Sequence, residues 1–239
     1  MTEQLFGAAF GAQSAMGRPY YTAGASGAAV QAFRAKAYGL NGAILSATGV
    51  SDHAAFCTNL QTILAEAYVG DSAAAAAPVY MGGEARVHAP SVSVPHVALA
   101  FLAPASSVVS NILKECLVLQ GASAFGGDGL VGVYGSDVDA MSSALTAKPS
   151  ADIIKRAKNI AKSKALFALE DGSQALAGAM TAQVLETGSF TFSGASYDSV
   201  ADKDVSAAYD AMLKSGLTMS AVGDLSMVPY HGSIASRFS

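Results

Sequence analysis

Residues 80–102 read YMGGEARVHAPSVSVPHVALAFL, and this stretch sets the fold class of the chain. Two short, mostly apolar runs, near Val79–His88 and Val94–Leu102, predict β-strands. A helix is predicted directly after them at Ser106–Leu119, with Ser106 or Ser107 as its cap. Strands followed by helices, without strict strand–helix alternation, favour an α+β domain.

Further elements are predicted on the C-terminal side of this stretch. Gly172 is expected to break or bend the long helix that starts at Ser150, and Gly216 to stop the last helix. The predicted elements are a strand at Leu130–Tyr134, helices at Val138–Ala147, from Ser150, around Leu176–Val184 and from an Asp202 cap, and an alternating strand at Leu217–Ala221.

The N-terminal side predicts mainly helices. They lie near residues 3–15, 27–38 and 52–68, with one short buried strand at Ala43–Thr48, and the third helix has Asp52 or Ser51 as its cap. Its helical spacing places Phe56, Leu60 and Ile63 on an inward face. A linker is predicted where Gly70-Asp71-Ser72 and an alanine run end at Pro78, although these alanines could equally extend the helix.

Composition excludes several classes of protein. The chain has 239 residues, of which 51% are hydrophobic and 13% charged, so it is not a disordered sequence. Its net charge of −4 gives no electrostatic reason to expect nucleic acid. The longest uncharged run, Val87–Leu113, contains three prolines and therefore cannot form one continuous membrane-spanning helix. The basic run Lys148–Lys164 predicts the solvated face of a helix rather than an anion site.

No residue pattern predicts catalysis, a metal site or a cofactor. Cys57 and Cys116 are interpreted as two buried free thiols in a reducing compartment, without a neighbouring histidine. The four histidines lack the spacing of zinc ligands, and the sequence contains neither His-x-x-Glu-His nor Gly-x-Ser-x-Gly.

Gly127-x-Gly129-x-x-Gly132 matches the dinucleotide-binding fingerprint literally. That fingerprint needs a helix directly after it, whereas Val131, Val133 and Tyr134 predict a strand. A tight hairpin or a close strand crossing is therefore the preferred interpretation, and a small nucleotide-binding module is the alternative.

Several segments together resemble one protein family. They are Tyr80–Arg86, Pro95–Phe101, Ala124–Phe125 with Gly129–Tyr134, Ala157–Asn159, Gly172–Leu176, Gly223–Leu225 with Val228–Tyr230, and, upstream, Ala8–Phe10, Gly17–Tyr20 and Gly49–His53. In this order they resemble the core 2 proteins of the mitochondrial cytochrome bc1 complex. That family belongs to the superfamily of processing peptidases and inverted-motif zinc peptidases.

The resemblance implies an α+β fold in which helices pack on an antiparallel-rich sheet. Residues 1–70 would be a partial first domain, 71–79 a linker and 80–239 a shortened second domain. The family's zinc motif has no counterpart here. The processing peptidase α subunit has a glycine-rich loop that would fall between Leu119 and Phe125, and it is missing.

The implied function is a non-catalytic structural subunit of respiratory complex III on the matrix side of the mitochondrial inner membrane. It would hold no metal or cofactor and have no transmembrane span. Its expected partners are a core 1-like or β-type processing peptidase subunit, cytochrome b and other complex III subunits. The alternative is an α-type, zinc-free subunit of the mitochondrial processing peptidase.

The N-terminal block also predicts a separate partner chain. Its apolar residues are too many to face water together: Leu5, Phe6, Phe10, Val30, Phe33 and Ile44. We expect another polypeptide to cover them and to pair its strands beside Ala43–Thr48.

Overall fold

The computed structural model describes residues 1–19, 24–65, 78–191 and 194–238. The predicted linker at 71–79 therefore lies largely outside the described residues, as does the end of the helix predicted at 52–68. The elements are α1 (Thr2–Phe10), α2 (Gly27–Ala37), α3 (His53–Leu64), β1 (Gly83–His88), β2 (His96–Leu102), α4 (Ser107–Leu119), β3 (Ala124–Gly127), β4 (Leu130–Gly135), α5 (Val138–Thr146), α6 (Ala151–Glu170), α7 (Ser173–Thr187), α8 (Ala195–Ser199), α9 (Asp202–Lys214), β5 (Thr218–Gly223) and α10 (His231–Ala235).

The five strands form one mixed sheet in the order β1-β5-β2-β4-β3. Only β1 and β5 run parallel, and the other three pairings are antiparallel. With helices packed on this sheet, the predicted α+β class with an antiparallel-rich sheet is confirmed.

The chain divides into two compact units. The first comprises Met1–Tyr21, Ala77–Ser163 and Gly194–Ser239, and the second comprises Thr22–Ala76 and Lys164–Ser193. The sheet and α1 both belong to the first unit. The assignment of residues 1–70 to a partial copy of a duplicated domain stays a prediction.

The core of the first unit is built around β2. Ala98 and Ala100 pack with α1 and Leu130, and the small alanine side chains let the helix approach the sheet closely. Leu99 and Phe101 alternate with them and point to the opposite face, where both are fully buried. Both faces of the central strand are thus covered.

Two predictions for the N-terminal residues are wrong. The helix predicted at 3–15 ends at Phe10, because Gly11 adopts a positive φ of 79°. Leu5 and Phe10, expected to need a partner chain, are buried at 3% and 4% exposure by the chain's own sheet unit.

The strand predicted at Ala43–Thr48 is also wrong. These residues form no strand, and the flanking Gly42 and Gly49 both have positive φ. A strand exists only through a ladder of hydrogen bonds with a neighbour, and the five-stranded sheet of the described residues does not include this segment. Leu45 is 59% exposed as a result.

Two of the three predicted helix caps are confirmed. Ser106 accepts a hydrogen bond from the amide of Val109, and Asp52 accepts one from the amide of Ala55. Asp202, however, is the first residue of α9 and not its cap, which is Ala201. The short helices α8 and α10 were not predicted.

Candidate functional site

Tyr80, from the segment that carries the family resemblance, ties the start of β1 to β5. Its hydroxyl donates to the carbonyl of Gly216 at 2.7 Å and lies 2.8 Å from Oγ1 of Thr218. Burial raises the pKa of the Tyr80 phenol. Gly82 has φ 69°, and a Cβ there would lie 3.1 Å from the carbonyl oxygen of Leu217. The Tyr80 end of the segment therefore joins the start of β1 to β5.

Arg86, at the end of the same segment, holds the C-terminal residues. Its Nη1 donates to Oε1 of Glu84 and to the carbonyl of Pro229, both at 2.9 Å, and its Nη2 donates to the carbonyl of Val228 at 3.0 Å. The guanidinium also lies 4.7 Å from the centre of the Tyr230 ring. Its charge and donors are thus directed at the chain's own groups rather than at a bound anion.

The three fingerprint glycines lie in the β3–β4 hairpin, which confirms the hairpin interpretation. Asp128 and Gly129 form its turn with positive φ values of 50° and 80°. At Gly132 a Cβ would lie 2.2 Å from the carbonyl oxygen of Leu99, so β4 passes β2 too closely for any side chain. A strand, not a helix, follows these glycines, so they do not form a dinucleotide fingerprint.

The sequence resemblance places the glycine-rich loop of the processing peptidase α subunit at the connection between α4 and β3. Here α4 ends at Leu119 and β3 starts at Ala124, so four residues join them. They line an open groove of about 450 Å³ together with the start of α5. The connection is too short to contain the extended loop of that subunit.

The four histidines have separate surroundings. His96 Nδ1 lies 2.7 Å from the hydroxyl of Tyr134, and His231 Nε2 lies 2.8 Å from the carbonyl oxygen of Leu217. His88 accepts from the amide of Leu225 at 3.5 Å. Among the described residues, no group of three or more His, Cys, Asp or Glu side chains could hold a metal ion.

The two cysteines differ, which corrects the sequence interpretation. Cys116 is buried, and burial together with the Glu115 carboxylate raises the pKa of its thiol to about 12. Cys57 is only half-buried, and its Sγ lies 3.6 Å from Nε2 of His53, one helical turn earlier in α3. The i, i+4 spacing could have revealed this neighbour.

The basic run Lys148–Lys164 pairs with the chain's own carboxylates. Lys148 contacts Asp210, Lys158 contacts Asp202, and Lys162 contacts Asp198. The aspartates of these pairs are about half exposed, as a solvated helix face requires, whereas the Lys158 side chain is only 19% exposed.

The second unit, in its described residues 24–65 and 164–191, has no buried core. No residue there is fully buried, and helices α2, α3 and α7 contain no buried residue. Of the inward face predicted in α3, Phe56 and Leu60 are half-buried, whereas the prediction is wrong for Ile63, which is 70% exposed.

Large apolar side chains of this unit face solvent instead. We call the following five the exposed apolar set: Val30, Phe33, Ile63, Phe167 and Leu185, which are 56–70% exposed. Single exposed apolar residues are common, whereas these five lie on four helices, α2, α3, α6 and α7, of a unit in which no described residue is buried. This set is the strongest candidate functional feature of the chain.

The fold of the chain is similar to that of a protein of known structure. No family model and no curated protein sequence matches the chain. Among solved structures, it is similar to a chain of complex III2 from Candida albicans with Inz-5 bound, with a TM-score of 0.76 and 12% sequence identity. The match covers 99% of this chain and 69% of that chain. At the level of fold, the resemblance predicted from the sequence segments is confirmed.

Within the described ranges, no helix has both the length and the hydropathy that crossing a bilayer requires.

Proposed function

We propose that this chain is a non-catalytic core subunit of mitochondrial respiratory complex III, of the core 2 type. The observation that carries the proposal is the fold likeness to a chain of complex III2 over 99% of the residues. The ordered sequence segments that resemble core 2 proteins, from Ala8–Phe10 to Val228–Tyr230, also support it.

A structural rather than a catalytic role agrees with how the family-like residues are used. Tyr80 and Arg86 hydrogen-bond to backbone carbonyls of neighbouring strands and of the C-terminal segment. The sequence contains no His-x-x-Glu-His motif to bind a catalytic zinc ion. The chain would contribute surface and rigidity to the assembly, and the redox chemistry would belong to other subunits.

The proposal includes a location and partners. The chain would lie on the matrix side of the inner membrane against a core 1-like or β-type processing peptidase subunit, with cytochrome b in the same particle. Residues 1–70 would be a partial first domain, 71–79 a linker and 80–239 the second domain.

Isolation of the native particle tests the proposal. The chain, tagged in its own organism, is purified from detergent-solubilised mitochondria, and haem b is quantified by difference spectroscopy. We expect haem b to co-purify in a fixed ratio to the chain. Recovery of a haem-free heterodimer with a zinc-bearing partner that cleaves presequences would instead identify a processing peptidase subunit.

A further inference from the structure

We draw no further inference here: the strongest candidate, the exposed apolar set on the helices of the second unit, carries nothing because the structure does not show that its five side chains form one surface or what covers them.

Discussion

Gly132 shows how one residue fixes the spacing of the sheet. A Cβ at this position would lie 2.2 Å from the carbonyl oxygen of Leu99 and 2.8 Å from the Cα of Ala100, and neither backbone atom can move without parting β2 from β4. Moving β2 away from β4 would also disturb the pairing of β2 with β5 on its other side.

We therefore expect Gly132→Ala to lower the free energy of unfolding by about 3 kcal/mol, at the upper end of overpacking effects. Gly126→Ala in the neighbouring strand is the control, because its Cβ would meet only side-chain atoms at 3.5 Å or more, and it should change stability by less than about 1 kcal/mol. Urea unfolding followed by circular dichroism measures both. Equal effects of the two variants would contradict the close-crossing explanation.

The two thiols allow a second residue-scale prediction. At pH 8 a thiol with a pKa of about 12 is ionised in about one molecule in 10⁴, and Cys116 is also shielded from solvent. Cys57 is half-buried beside His53. We expect the Cys116→Ser variant to react with a disulfide reagent at least a hundredfold faster than the Cys57→Ser variant. Similar rates would show that Cys116 is accessible.

At the scale of elements, the contact between β1 and the C-terminal segment depends on Arg86. Arg86→Met removes a partly buried charge that donates to Glu84, Pro229 and Val228, and it takes this donor away from the carbonyls of Pro229 and Val228, whereas Glu84 keeps the hydrogen bond from the amide of His231. We expect a loss of about 2–4 kcal/mol in stability and early proteolysis of residues 224–238.

Arg237→Met is the matched control for this contact. Arg237 pairs with Asp139 at 2.7 Å, but that aspartate side chain is 80% exposed, so the loss should be below about 1 kcal/mol. Arg86→Lys should restore little, because an ammonium group cannot span several carbonyls as a guanidinium does. Full stability of Arg86→Met would show that the C-terminal segment is held by other contacts.

Elements were predictable from the sequence where a local signal exists. Ser106 and Asp52 mark helix starts because a cap is a contact within four residues, and β2 is unmistakable because its apolar run is continuous. Ala43–Thr48 was wrongly predicted because an apolar run does not reveal whether a neighbouring strand exists to pair with it. The exposed apolar set could not be predicted from the sequence. The exposure of Phe33 or Ile63 depends on what packs against the helix, and helical spacing cannot show this.

At the scale of the whole molecule, the two units should differ in stability when the chain is isolated. The sheet unit has a fully buried core, whereas the described helices of the second unit have none. Amides of α2, α3 and α7 should exchange with solvent at least a thousandfold faster than those of β2 and β4, because local opening there costs little.

Hydrogen exchange with mass spectrometry measures this difference. The isolated chain should also aggregate or bind a hydrophobic dye, as expected for exposed apolar surface. A monodisperse monomer with one sharp unfolding transition and uniform protection would contradict the account, since it would mean that the second unit is stable by itself.

The central claim, membership of respiratory complex III, is tested most directly by a single-particle structure of that complex from the organism that makes this chain. The account predicts density outside the membrane for a five-stranded sheet in the order β1-β5-β2-β4-β3, with the side chains of this sequence fitted to it. A complete complex III in which no density fits this chain would contradict the claim.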